Sequence, residues 1–498
     1  MITLKNKPTT SSLISLLIVS IMLTMFIGHS LSWAQIPEEE IFKEFSLLAE
    51  VVTLIQTEHL DKPEAEKLFY AAIKGMLNAL DPYSEFLDPK SKERFRENTR
   101  GTFGGLGMYI GIKNNKLTVI SPIEDTPAYS AGVQAGDYIS EIDGESTVGI
   151  LVGDAVQKLR GEPGTQVTIT IIREGEKEPL RFTITRDIIT IQTVKYHVLG
   201  NDIGYIRVTG FMEHTAADVD RAFDEIEQQP REGKAPAALT HPAEPRDIKG
   251  IILDLRGNPG GLLTSAVDIA SDFLEEGKLI VYTKGRQENP KDEFFVKKGA
   301  THKLYPLVVL VDNGSASGSE IVAGAIKDYK RGLLIGTKTF GKASVQKVIP
   351  IGGELGIDAA VKLTVAHYYT PNGTDIHKVG IEPDIEYQPE SSSERKMWWQ
   401  LRRSEMLKQF LQKAGEDVLI KLKEAQASKE KDSQAVLSQY EDFIKEVEKE
   451  QIFLSDELIK FAIATETKDL KDEYEYDPRI QTAVKHLRAY NVFKSSFE

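Results

Sequence analysis

The 498-residue sequence predicts an α/β multidomain protein: a small β domain set between an N-terminal helical region and an α/β core, then a helical C-terminal tail. Three observations carry this prediction. Ile248–Leu253 and Leu307–Val311 are apolar runs, each closed by a glycine-rich turn and followed by a helical pattern. Strand, turn and helix repeated in that order make βα units with a mainly parallel sheet. Residues 100–186 change character to short strands, turns and many glycines, and from Met397 onward the chain is helical in pattern and highly charged.

The elements follow in chain order. Lys5 and Lys7 precede the uncharged apolar stretch Leu13–Ile27, and Ser32-Trp33-Ala34 offers small residues where a signal peptidase needs them. Residues 1–34 therefore read as a secretory signal cleaved before Gln35, which predicts an exported, periplasmic or cell-envelope protein. The rival is an uncleaved anchor, since Leu13–Trp33 is long enough to span a bilayer. Residues 35–98 read as helical, because Phe42, Phe45, Leu48, Val52 and Ile55, and again Leu68, Ala72, Met76 and Leu80, recur at three- and four-residue spacing. Pro63 divides the two helices. The β domain occupies 99–187, the α/β core 188–390 and the helical region 391–498. Pro230, Pro236, Pro242 and Pro245 mark 230–246 as a surface insertion within the core.

Composition removes several function classes. Net charge is −14, and −16 once the two lysines of residues 1–34 are gone, which opposes a nucleic-acid footprint. The absence of cysteine excludes disulfides, a thiol nucleophile and thiolate-bound zinc. The nine histidines have no metal-ligand spacing, so neither a metal site nor a cofactor is expected. Gly336–Ala343 matches G-x-x-x-x-G-K, but Ala343 stands where a phosphate loop needs Ser or Thr, and a strand pattern follows where that loop opens a helix.

Chemistry concentrates in the turn after the second apolar run. Gly314, Ser315, Ala316 and Ser317 end it, so Ser317 would lie at a helix N-terminus, where unpaired N–H groups and the dipole favour negative charge. That setting suits a serine nucleophile, and it suits a helix cap equally well. In the β domain, Phe103-Gly104-Gly105-Leu106-Gly107 can turn backbone N–H groups into an anion-binding nest. Thr126–Gly144, with its Gly136-Asp137 turn and Asp143-Gly144 hairpin, completes a pattern that resembles a PDZ domain. Such domains capture C-terminal peptides by strand addition and carboxylate binding.

With Asp254–Gly261, Ser315–Glu320, Thr339–Gln346 and Thr370–Asp384 in sequence, residues 36–390 resemble the carboxy-terminal processing peptidases, or tail-specific proteases. Asp477–Leu487 resembles their terminal helix. The resemblance implies an α/β serine-protease core with Ser317 as nucleophile, Lys342 as general base and Gln346 orienting the base. Lys342 lies 25 residues and Gln346 29 residues after Ser317. A lysine acts as a base only when neutral, so burial and cationic neighbours must lower its pKa. The oxyanion hole falls to the N–H groups of Gly318 and Gly261. Three positions depart from the family pattern: Gly318 replaces the usual Ala, Ala343 the usual Gly, and His367 the usual Arg. A Ser-His-Asp alternative drawn from His367 or His377 with Asp312 or Asp375 has no spacing in its favour.

The resemblance further implies peptide binding by Gly104, Gly105, Leu106 and Gly107, and coupling of that binding to the protease core by Arg160. The expected partners are protein substrates with exposed, apolar C-terminal tails, and a second copy of the chain in a homodimer or larger assembly. The competing function is a non-catalytic periplasmic PDZ scaffold. Substrate identity and any activating adaptor are not legible in the sequence.

Overall fold

The computed structural model describes residues 38–495 apart from 62, 124, 174, 201, 229–246, 287–289, 298, 300–303, 388–391, 416, 428–430 and 468–473. The signal segment and the 230–246 insertion lie outside the described residues. None of the described helices is long and apolar enough to cross a membrane. The chain divides into two units, Met1–Leu80 and Asp81–Glu498. In the first, the described residues form helices α1 (Glu38–Glu58) and α2 (Ala65–Asn78).

The second unit opens with a correction. Residues beyond Leu80 do not extend a helical pair: Asp81–Ser84 form a turn, β1 (Glu85–Leu87) is a strand, and α3 (Pro89–Arg100) follows. Asp81 explains the break, because its carboxylate accepts the N–H groups of Tyr83 and Ser84 and the Ser84 hydroxyl. Asp88 then caps α3 through the N–H of Ser91, with Pro89 at its first position.

The β domain follows as predicted. Strands β2 (Thr102–Gly105), β3 (Met108–Lys113), β4 (Lys116–Pro122), β5 (Tyr138–Ile142), β6 (Glu145–Ser146), β7 (Gln166–Ile172), β8 (Leu180–Thr185) and β9 (Asp187–Thr190) surround helix α4 (Val152–Leu159). Leu117 and Val119, and Ile169 and Ile171, alternate inward along their strands, and a register shift between Ile139 and Glu141 brings Ile139 and Ile142 into the same core.

The main sheet runs in the order β10 (Val194–Leu199), β11 (Ile203–Val208), β12 (Gly250–Asp254), β15 (Leu307–Val311), β16 (Leu333–Gly336), β19 (Ile385–Glu386). All its pairings are parallel except β10 with β11. One face packs on α5 (Thr215–Gln228), α6 (Leu263–Ser271) and α7 (Gly318–Asp328), burying Ile251, Leu253 and Val309 against Phe223, Ile269 and Val322. The intervening residues Ile252, Val308 and Leu310 point the other way, into a cluster with Ile480, Ala483, Val484 and Leu487 of the terminal helix α13 (Pro478–Ser495). Cover on both faces is why these strands read as unbroken apolar runs. A second, antiparallel sheet joins β1, β18 (Ala359–Tyr369), β13 (Leu279–Gly285), β14 (Pro290–Phe295) and β17 (Ser344–Ile351). Because Gly336–Ala343 feeds strand β17, it is not a phosphate loop.

The tail is more built than its charge suggests. Helices α8 (Ser392–Arg403), α9 (Glu405–Ala414), α10 (Val418–Ala427), α11 (Lys431–Lys449) and α12 (Asp456–Thr467) enclose a core of their own around Leu401, Leu407, Phe410 and Phe443. Ahead of α13, Asp477 accepts from Arg256 at 2.9 Å and from Arg479 at 2.9 and 3.0 Å. Arg256 also bonds Asp254, whose carboxylate takes the Tyr205 hydroxyl at 2.6 Å. Burial alone would raise the Asp477 and Asp254 carboxyls; the guanidiniums reverse that and hold both below the usual range. Depressed carboxyl pKa values stabilise the fold fully above the unfolded value of about 3.9, and that contribution is lost as pH falls below it. Asp477→Ala removes one of the two anions facing Arg256 and is expected to destabilise the core by about 3 kcal/mol. It should also shrink the loss of stability on acidification. An unchanged denaturation midpoint would show that this cluster does not fasten α13 to the sheet.

Candidate active site

The turn after β15 places Ser317 at the N-terminus of α7 with φ 53° and ψ −110°, outside the extended backbone of an ordinary N-cap. Positive φ at a non-glycine residue costs energy and persists only where its surroundings impose it. The neighbouring serines supply part of that constraint. Ser315 Oγ donates to Leu255 O at 2.7 Å and Ser319 Oγ to Asn258 O at 2.9 Å, tying this turn to the one that follows β12. Ala316 N–H also bonds Asn258 O. Ser317 is left nearly buried, at 9% exposure.

Asn258, fully buried, shapes the other turn: its amide donates to Val208 O, and its carbonyl accepts the Gly260 N–H at 2.9 Å. Gly260 (φ 101°) presses against the serine, so that a Cβ there would lie 2.7 Å from Ser317 Cβ. Gly261 (φ 151°) backs onto Phe211, whose carbonyl oxygen would be 2.1 Å from an added Cβ. Only glycine fits at either position. Among the described residues no acceptor takes the N–H of Gly261 or of Gly318. Two adjacent glycine-rich strand ends thus present unused donors beside a serine hydroxyl, an arrangement able to stabilise an oxyanion.

The third segment is Thr339–Ala343, and a residue the sequence reading passed over holds it in place. Glu320, fully buried in the first turn of α7, accepts the Ser317 N–H at 2.9 Å and the Lys342 N–H at 2.8 Å on one carboxylate oxygen. Its other oxygen accepts the Thr339 hydroxyl at 2.6 Å and the Gly341 N–H at 2.7 Å. One carboxylate therefore joins the serine turn to the lysine loop. The signal was present, since an acid three residues after a helix-capping serine marks a capping box; what spacing does not reveal is that the same carboxylate reaches Lys342.

Burial lowers the Lys342 pKa, Lys362 lowers it further, and Glu320 opposes them. Its ammonium lies 4.8 Å from the Tyr83 ring centroid. No hydrogen bond joins Lys342 Nζ to Ser317 or Gln346 among the described residues. Gln346 instead reaches Thr364 Oγ1 at 3.4 Å, and Thr364 donates to Asp81 at 3.1 Å. The Asp81–Ser84 turn, read from sequence as helical, thus borders this site. His367 and His377 stack on each other, centroids 4.1 Å apart, and neither ring bonds Ser317 or Asp312 among the described residues.

In the β domain, Gly104 and Gly105 belong to strand β2, opposite Ile188 and Asp187, so the open loop narrows to Leu106 and Gly107. Leu106 is buried, and Gly107 alone of the four has positive φ, 75°. Arg160 is no free turn residue. Its guanidinium bonds Glu97 of α3 at 3.2 Å and stacks 4.0 Å from the Phe103 ring centroid.

Residues 202–387 match peptidase family S41, and residues 118–173 match the PDZ domain. The chain is 43% identical over 348 residues to the carboxy-terminal-processing protease of Bartonella bacilliformis, covering 70% of this chain and 76% of that protein. It belongs to peptidase family S41. Carboxy-terminal processing protease CtpB of Bacillus subtilis is 36% identical over 353 residues, covering 70% and 68%. Among solved structures, a photosystem II D1 C-terminal processing protease is 30% identical, covering 69% of this chain and 93% of that one, with a TM-score of 0.40. This S41 chain is accordingly a serine-type peptidase with a PDZ domain.

Two departures of this S41 chain from the family pattern have physical explanations. An alanine at Gly318 would set its Cβ 2.9 Å from the Phe211 ring, which fills that space here. Ala343 is buried and has no positive φ, so glycine is not required there. His367, the third, lies opposite Lys284 across β13 and β18.

Proposed function

We propose that this peptidase is an exported endopeptidase that engages the apolar C-terminal tail of a protein substrate through its PDZ domain and cleaves it by a Ser/Lys mechanism. The observation that carries the reading is the Glu320 carboxylate shared by the Ser317 and Lys342 N–H groups. Neutral Lys342 removes the Ser317 hydroxyl proton as Oγ attacks the scissile carbonyl carbon. Gly318 and Gly261 N–H groups receive the oxyanion. The Lys342 ammonium returns the proton to the departing amine, leaving an acyl-serine ester, and water activated by Lys342 then hydrolyses it. Gln346, whose NH₂ group is turned to Thr364, is assigned to orient the lysine through its amide oxygen as the reacting state forms and, being neutral, adds no charge that would favour the ammonium form.

The test incubates protein lacking residues 1–34, and its Ser317→Ala variant, with exported proteins and maps new C-termini by mass spectrometry. New C-termini that depend on Ser317 are expected. Tail binding with no cleavage by the unmodified protein would favour the PDZ scaffold, and cleavage surviving in Ser317→Ala would remove the serine from the mechanism.

A further inference from the structure

Strands β13 and β18 border a cavity of about 710 Å³ whose polar lining includes Lys284, Arg286, Thr364, His367 and Tyr369 and, among the described residues, contains no acid. In a chain with net charge −14, such a lining stands out. Lys284 and His367 are direct cross-strand partners, a pairing that repels whenever the imidazole is protonated. The Lys284 ammonium is held over two stacked rings, 4.8 Å from Tyr369 and 5.5 Å from Tyr282, which position it without neutralising it. Neither Lys284 nor Arg286 has a carboxylate partner among the described residues. The neighbouring acid Asp375 accepts the His377 N–H at 2.8 Å and also bonds the Tyr369 hydroxyl, so it is engaged at the edge of the lining.

The cavity adjoins the catalytic segment. Thr364 receives the Gln346 amide at 3.4 Å, His367 pairs with Ser344 just after Lys342, and Lys378 N–H bonds Gly341 O. A cleft carrying one sign of charge against an apolar wall concentrates ligands of the opposite sign, and a guanidinium beside an ammonium matches a carboxylate.

We propose that this cleft is a subsite of the protease core that binds a carboxylate of the peptide substrate, separate from the PDZ loop. The inference rests on the proteolytic reading above. The carboxylate has two possible sources, an acidic side chain or a free C-terminus.

Binding of four peptides to Ser317→Ala protein lacking residues 1–34 separates these sources. The peptides share one sequence and form two pairs: free acid against C-terminal amide, and Glu against Gln beside the scissile bond. In one pair the carboxylate form should bind about tenfold more tightly. Lys284→Met with Arg286→Gln should cut that preference about tenfold, while Lys284→Arg, which keeps the charge, should retain it. The pair that responds identifies the source, and a preference confined to the PDZ loop would survive the double change. Equal binding within both pairs, or a preference unaltered in Lys284→Met/Arg286→Gln, overturns the proposal. Calorimetry on an inactive variant does not depend on turnover. Carboxylate preference together with no cleavage by the Ser317 protein would leave the subsite standing and remove the proteolytic reading.

Discussion

Replacing Lys342 by alanine is expected to lower kcat/KM on a tail-bearing substrate by about 10²–10⁴-fold, the range for losing a positioned general base. Lys342→Arg should be as inactive. A guanidinium keeps the charge and much of the reach, but it stays protonated at every accessible pH and cannot accept the serine proton. A lysine that merely packed over Tyr83 would tolerate that exchange far better, so substantial activity in Lys342→Arg would sink the assignment. The pH dependence carries the same argument. Burial and the Lys362 charge both depress the Lys342 pKa. The neutral base therefore forms at a lower pH than for an exposed lysine, and kcat/KM should rise with pH through that depressed value. A profile that climbs only at the pH of a free ammonium would show that these neighbours do not act on the reacting lysine.

Glu320→Gln is expected to reduce kcat/KM by about 10²-fold. The carboxylate accepts four donors, two on each oxygen. An amide placed there turns an NH₂ group toward one of those donor pairs whichever way it is flipped, and each buried donor left without an acceptor costs about 1–3 kcal/mol. Either flip loosens the link between Ser317 and Lys342. A second readout distinguishes positioning from simple damage. Glu320 raises the Lys342 pKa against the other neighbours, so its loss should move the rising limb of kcat/KM to lower pH. Reduced activity with an unmoved limb would confine Glu320 to a structural role.

Much of this fold is legible because it rests on local rules. Ile248–Leu253 and Leu307–Val311 read as buried parallel strands since both faces are covered, and a strand covered on both sides has no polar alternation. The glycines of Asp254–Gly261 announce a turn, and Ser317 is marked by its position before an amphipathic helix. The Asp81–Ser84 turn runs against helical spacing that continues up to Leu80, although Asp81-Pro82 is itself a turn-initiating pair. In the charged tail, apolar positions such as Leu401, Leu407, Phe410 and Phe443 are legible among the charges as packing positions, and they form the core of that region.

The sequence by itself determined the parallel core, the PDZ-like β domain and the flanking helical regions, and through the family resemblance it singled out Ser317 as the proposed nucleophile. The tertiary structure decided how those residues are held. Glu320 and Lys342 meet through the loop after β16, Tyr83 and Lys362 reach the same lysine from different strands and turns, and Gly260 owes its identity to a serine on another turn. The reason is physical: helix and strand patterns arise from neighbours along the chain, whereas a lowered lysine pKa and a glycine without room for a Cβ arise from neighbours in space.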